Sequence, residues 1–151
     1  MPSQQIRALV LCIFHNNGRI LVNETYDHVK SQTYCRPLGG GIKFGETSEA
    51  AIVREIREEL GTEITNLRII GTLENIFTYM GRPHHEIIQV YDGEFTDHAL
   101  YKLPWLPGTE SDGATFKALW REMYYFSTTS ILVPNGLPEL LKTNAFLSRP
   151  A

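Results

Sequence analysis

Cysteine is scarce: Cys12 and Cys35 are the only two in 151 residues. Two cysteines cannot build a disulfide framework, so reduced thiols and a reducing, cytoplasmic compartment are expected. No apolar run approaches the ~20 residues of a membrane span. The run Ala8 to Phe14 is seven residues long, follows a lone Arg7 and lacks a small-residue cleavage site, so neither a signal peptide nor a membrane partner is expected. A basic excess is also missing. Fourteen Lys and Arg face seventeen Asp and Glu, a net charge of −3. Long duplex nucleic acid, held through its phosphates, is therefore not an expected partner, whereas a small phosphorylated ligand needs only a few local cations or a metal. Repeats, low-complexity tracts and linkers are lacking, and the length suits one domain spanning residues 1–151.

What is present is an ordinary globular composition, with 42% hydrophobic residues, enough for a sizeable core and too many for a disordered chain. Ile6 to Phe14 reads as a buried strand. Asn17-Gly18 signals a hairpin, and Ile20-Leu21-Val22 begins the return strand. Tyr26 to Thr33 reads as a loop, and Pro37-Leu38-Gly39-Gly40-Gly41 as a flexible turn. Thr47 to Leu60 reads as a helix, capped by Thr47 or Ser48 and ended by Gly61. Leu67 to Tyr79 and Glu86 to Phe95 read as strands joined by Met80-Gly81-Arg82-Pro83. Thr96 to Gly113 reads as a long loop, Thr115 to Trp120 as a strand, and Leu137 to Lys142 as a short helix with Pro138 in its first turn. This order gives an α+β domain with a mixed sheet.

The central helix is locally unfavourable. Ile52, Val53, Ile56 and Leu60 form one apolar stripe. Glu55, Glu58 and Glu59 crowd a neighbouring arc of roughly 100°. Like charges at these spacings repel by about 0.2–0.5 kcal/mol per pair. Glu58 and Glu59 also lie at the negative end of the helix dipole. Arg54, four residues before Glu58, can pair with it. A solvated acidic face is one reading. The other is a divalent cation, since carboxylates and a backbone carbonyl are the hard ligands that Mg²⁺ or Mn²⁺ prefers.

Gly40, Glu46, Arg54, Glu55, Ile56, Glu58, Glu59 and Gly61 resemble the signature of the Nudix hydrolase family. That signature runs Gly, five residues, Glu, seven residues, then Arg-Glu-apolar-any-Glu-Glu-any-Gly-apolar. Only Thr62 departs from it, beyond the helix. A chance match is on the order of 10⁻⁹ per starting position. The resemblance implies an α/β/α sandwich with a mixed sheet. It also implies Mg²⁺- or Mn²⁺-dependent hydrolysis of a nucleoside diphosphate linked to another moiety. Carried over, Glu55, Glu58 and Glu59 are metal ligands, a carbonyl near Gly40 is a further ligand, and Glu55 or Glu58 serves as base. Glu46 and Arg54 resemble the pair that fixes the loop to the helix. The family's habit of dimerising leaves a homodimer open.

Outside the signature, Arg36 is a candidate phosphate ligand and Glu86 a candidate substrate contact. His84, His85 and Glu86 cannot all converge on a metal, because adjacent strand residues point to opposite faces. Glu110 and Asp112 read as solvated loop acids that could supply an extra carboxylate. Tyr79, Tyr101 and Trp105 could stack on a base but read first as packing or loop anchors. Trp120 and Tyr124-Tyr125-Phe126 read as core or a self-association surface. Two rival functions stand beside hydrolysis: a catalytically silent nucleotide-sensing or protein-binding module, and isomerisation of an isoprenoid diphosphate, for which Cys35 is the one supporting residue.

Overall fold

The computed structural model describes residues 4–144. Its strands are β1 (Ile6–Ile13), β2 (His15–Asn16), β3 (Arg19–Asp27), β4 (Gln32–Arg36), β5 (Leu38–Gly41), β6 (Ile64–Tyr79), β7 (Arg82–Phe95), β8 (Trp105–Thr109), β9 (Thr115–Glu122) and β10 (Ser130–Leu132). Helix α1 (Ser48–Leu60) follows β5, α2 (Leu137–Thr143) follows β10, and 3₁₀ turns occupy His98–Lys102 and Met123–Tyr125. One sheet has the order β5-β1-β7-β6; the other has β10-β4-β3-β9-β8, with β2 paired to β3. β1 runs parallel to β7 and β10 parallel to β4, while the remaining pairs are antiparallel, so both sheets are mixed.

Each helix covers its own apolar cluster. Ala51, Ile52 and Ile56 of α1 pack with Val10 and Cys12 of β1 and with Phe14 just beyond it. Leu137 and Leu141 of α2 pack with Leu9, Leu11 and Ile13 from the same strand. The alternation of β1 therefore feeds both clusters, which is the layering of an α/β/α sandwich. The caps of α1 are those its sequence announces. Thr47 Oγ1 accepts from Ala50 N at 3.1 Å, and Gly61 takes the left-handed φ of 67° that ends the helix.

Four expectations are corrected. The glycine segment is strand β5 rather than a flexible turn: Leu9 faces Gly41 and Val10 faces Gly40 across an antiparallel pair. A Cβ on Gly39, whose φ is 152°, would strike Val10 O and lie 2.9 Å from Leu11 Cα. Glycine here lets two strands approach closely. The expected loop at 26–33 shrinks to a turn, because β3 continues to Asp27 and β4 begins at Gln32. The buried Asp27 carboxylate makes that turn, accepting from Val29 N at 2.8 Å and Lys30 N at 3.2 Å. The long loop at 96–113 contains the first 3₁₀ turn and β8, an edge strand, where Pro107 is tolerated. The β6–β7 turn is only Met80-Gly81, at φ 52° and 77°; Arg82 and Pro83 are already paired in β7. Strand β10, too short and mixed to show a period, goes unread in the sequence.

Cys12 and Cys35 are free and buried, as expected of reduced thiols. Burial pushes the Cys35 thiol up to about 12 and raises Cys12 as well. No helix among the described residues is long and apolar enough to cross a membrane.

Candidate active site

Arg54 organises the signature residues. Its Nε donates to Glu46 Oε2 at 2.7 Å and its Nη2 to Glu46 Oε1 at 2.9 Å, a forked pair. The same Nη2 donates to the Gly41 carbonyl at 2.9 Å. Nη1 donates to Glu55 Oε1 at 2.9 Å and Glu58 Oε2 at 3.2 Å. One guanidinium thus ties the end of β5, the loop before α1 and two helix carboxylates together. Hydrogen bonding from Arg54, then from Lys43 N, holds the Glu46 carboxyl down at about 2. The expected Arg54–Glu58 pair is present, with the Glu58 side chain 53% exposed.

The third helix carboxylate has no such partner. Burial, the Glu55 charge and then Glu110 push the Glu59 carboxyl up to about 8, with Arg36 opposing. A Cβ on Gly40 would lie 2.5 Å from the Glu55 carboxyl carbon. Glycine therefore leaves the space in which the Glu55 carboxylate sits against β5. No three His, Cys, Asp or Glu side chains among the described residues converge into a complete metal cage. The donor chemistry nonetheless fits Mg²⁺ or Mn²⁺: hard carboxylate oxygens, bare backbone at Gly40, and a half-buried glutamate whose charge lacks a full counter-charge.

A cleft of about 410 Å³ opens beside this patch. Arg36 and Glu110 line it, and both act electrostatically on Glu59. Its far wall is one face of the β6–β7 hairpin, carrying Asn75, Phe77, Tyr79, His84 and Glu86; Tyr34 of β4 and the segment Ile131 to Asn135 face it. Arg36 and Glu86, the two substrate-side candidates, are thus both in the cleft. So is Glu110, which accepts from Asn23 Nδ2 at 3.2 Å. Asp112 instead closes a turn by accepting from Ala114 N at 2.9 Å.

The remaining candidates separate in the same way. His84 stacks on Phe77 at 4.9 Å in the cleft, whereas His85 alternates to the other face. Tyr79 lines the cleft. Tyr101 is a loop anchor whose hydroxyl accepts from Phe95 N at 2.9 Å, and Trp105 lies beneath the Lys117 ammonium at 4.6 Å. Trp120 is core, but Tyr124 is not: it is 83% exposed, outside the apolar cluster that takes Tyr125 and Phe126. Cys35 packs in the core and does not line the cleft, which removes the residue that favoured an isomerase. Sequence reasoning missed Asn75, Phe77 and Tyr34. The Met80-Gly81 turn held the signal for two of them, since a two-residue hairpin fixes Asn75 opposite Glu86 and Phe77 opposite His84.

The NUDIX domain family profile matches residues 4–123, and the chain belongs to that family. An 8-oxo-dGTP diphosphatase of Proteus vulgaris is 32% identical over 72 residues, 48% of this chain and 62% of that protein. The NAD-capped RNA hydrolase NudC of Pseudomonas aeruginosa (strain LESB58) is 49% identical over 35 residues, 23% of this chain and 13% of that protein. The matches thus span less than two thirds of either relative. A MutT NUDIX hydrolase from Burkholderia pseudomallei superposes with a TM-score of 0.63 at 20% identity, covering 92% of this chain and 98% of that one. A NUDIX hydrolase from Nitrosomonas europaea gives 0.64 at 12% identity, covering 97% and 93%. At such identities these two structures establish the fold.

Proposed function

We propose that the chain is a Mg²⁺- or Mn²⁺-dependent pyrophosphohydrolase acting, as one Nudix unit in the cytoplasm, on a small nucleotide-derived substrate. The observation that supports it best is that Glu55, seated in the space left at Gly40, acts together with Glu59, and that Arg36 and Glu110 of the cleft lining also act on Glu59. Glu55, Glu58, Glu59 and a carbonyl near Gly40 are the groups that would hold the ion. When bound, a divalent ion supplies charge neutralisation at the phosphate oxygens, acidifies adjacent water and stabilises the leaving oxygen.

The chain's own residues supply the rest. Arg36 attracts the anionic diphosphate into the cleft. Glu55 or Glu58 accepts the proton of the attacking water as its oxygen bonds to phosphorus and the bond from that phosphorus to the bridging oxygen breaks, the bridging oxygen leaving with the other phosphate. Arg54 keeps Glu55 and Glu58 aligned, and Glu46 keeps Arg54 in place, so their carboxylates need not reorganise during reaction. The cleft excludes bulk water from the far part of the substrate.

The test is a Mg²⁺-dependent screen of nucleoside triphosphates, damaged nucleotides, ADP-ribose, nucleoside diphosphate sugars and dinucleoside polyphosphates, with products identified. The 8-oxo-dGTP substrate named for one relative belongs in the panel. We expect cleavage at a diphosphate bond. Glu58→Gln or Glu59→Gln should slow turnover by about two orders of magnitude or more while circular dichroism stays unchanged. Wild-type turnover in both variants, or Mg²⁺-dependent binding with no product, rejects the proposal.

A further inference from the structure

Glu86 is unexplained by hydrolysis. It is 5% exposed, lines the cleft, and makes no hydrogen bond or ion pair among the described residues. Arg7, its register partner on β1, lines the same cleft without bonding it, so the carboxylate opens toward the cleft with its acceptors unused, and such a largely buried charge is costly unless a ligand meets it. Directly opposite it, across the β6–β7 pair, stands Asn75, itself 6% exposed. The Asn75 Oδ1 accepts from the backbone N of Asn135 at 3.3 Å. That bond fixes the amide's orientation, because a backbone N–H requires an acceptor. The Asn75 Nδ2 therefore remains a donor, with no acceptor among the described residues, beside the two acceptor oxygens of Glu86.

A donor next to a paired acceptor is complementary to an edge that presents one acceptor followed by two N–H donors. Among the four common bases this is the Watson–Crick edge of guanine, with O6, N1–H and the N2 amino group. Adenine would turn its N1 lone pair toward Glu86, cytosine would turn N3 and O2 toward it, and uracil offers a single N–H between two carbonyls. The adjoining rings of Phe77, Tyr79, His84 and Tyr34 supply stacking faces for a planar base.

We propose that Asn75 and Glu86 read a guanine-type base, Nδ2 of Asn75 donating to O6 and the Glu86 carboxylate accepting from N1–H and the N2 amino group. This rests on the reading that the cleft takes a nucleotide. It assigns the β6–β7 hairpin to base recognition and the α1 side to the diphosphate.

Binding can be measured without turnover, by calorimetry with GMP, IMP and AMP. IMP keeps O6 and N1–H but lacks the 2-amino group. Wild-type protein should bind GMP at least fivefold more tightly than IMP, and IMP more tightly than AMP. Glu86→Gln should bring GMP down to the level of IMP. Asn75→Asp keeps the acceptor for Asn135 N and replaces the donor, so it should weaken GMP and IMP at least fivefold while leaving AMP within twofold. A wild-type GMP-to-IMP ratio below fivefold, no measurable GMP binding, or a ratio that Glu86→Gln leaves unchanged overturns the proposal. If Glu86→Gln does not fold, the wild-type ratio and Asn75→Asp decide it. Diphosphate hydrolysis without guanine selectivity defeats the base assignment alone; selective GMP binding without any hydrolysis defeats the hydrolase reading alone.

Discussion

Arg54 carries five hydrogen bonds to Glu46, Gly41, Glu55 and Glu58, which only a planar fork can make together. Arg54→Lys keeps the charge and loses that geometry, so kcat should fall about tenfold or more in steady-state assays. Glu46 gives a pH signature. Its carboxyl is depressed from 4.5 to about 2, so its contribution to stability is fully present above pH 4.5 and is lost as pH falls toward 2. Acid titration of the denaturation midpoint should therefore fall less steeply between pH 4.5 and 2 in Glu46→Gln than in the wild type. A parallel decline in both proteins would show that Glu46 is not the group being titrated. The residue pattern of this centre is legible in the sequence because it lies within one short stretch of chain, the end of β5, the loop after it and α1, where a fixed spacing identifies it. Asn75 was not legible that way: its meaning comes from Glu86 across a hairpin and Asn135 from a distant segment.

Helix α1 was readable as an element, since its caps and apolar stripe are local. Thr47→Ala should lower stability by about 1 kcal/mol in urea denaturation, through loss of the bond to Ala50 N. Strand β5 was not readable, because a run of glycines carries no periodic signal and its pairing with β1 spans some thirty residues of chain. Two substitutions there should differ in kind. Gly39→Ala drives a methyl into the backbone of β1 and should cost about 2 kcal/mol or more. Gly40→Ala meets only the flexible end of Glu55, so stability should change little while kcat drops as the carboxylate is displaced. Denaturation and kinetics on the same two preparations separate these effects.

At the scale of the whole molecule, Asp27 joins the turn after β3 to the tip of the β6–β7 hairpin. Its Oδ1 serves Val29 N and Lys30 N, and its Oδ2 accepts from Met80 N at 3.1 Å. Lys30 Nζ adds a bond to Thr78 O at 2.7 Å. Asp27→Ala strands three backbone donors and should destabilise the fold by roughly 2–3 kcal/mol. Hydrogen exchange at Met80 and Lys30 should quicken, while exchange in α1 should track the global loss alone. The sequence showed the β6–β7 hairpin but read 26–33 as a loop, and the clasp between the two turns depends on tertiary packing. The division of β1 between two apolar clusters has an evolutionary corollary. Under the proposed function, cutting draws on the cluster beneath α1 and ligand choice on the cleft, so drift around Leu132, which belongs to the other cluster and lines the cleft, can retune what is admitted without disturbing how it is cut. A lineage of such proteins can diversify its diet while inheriting a single pair of scissors.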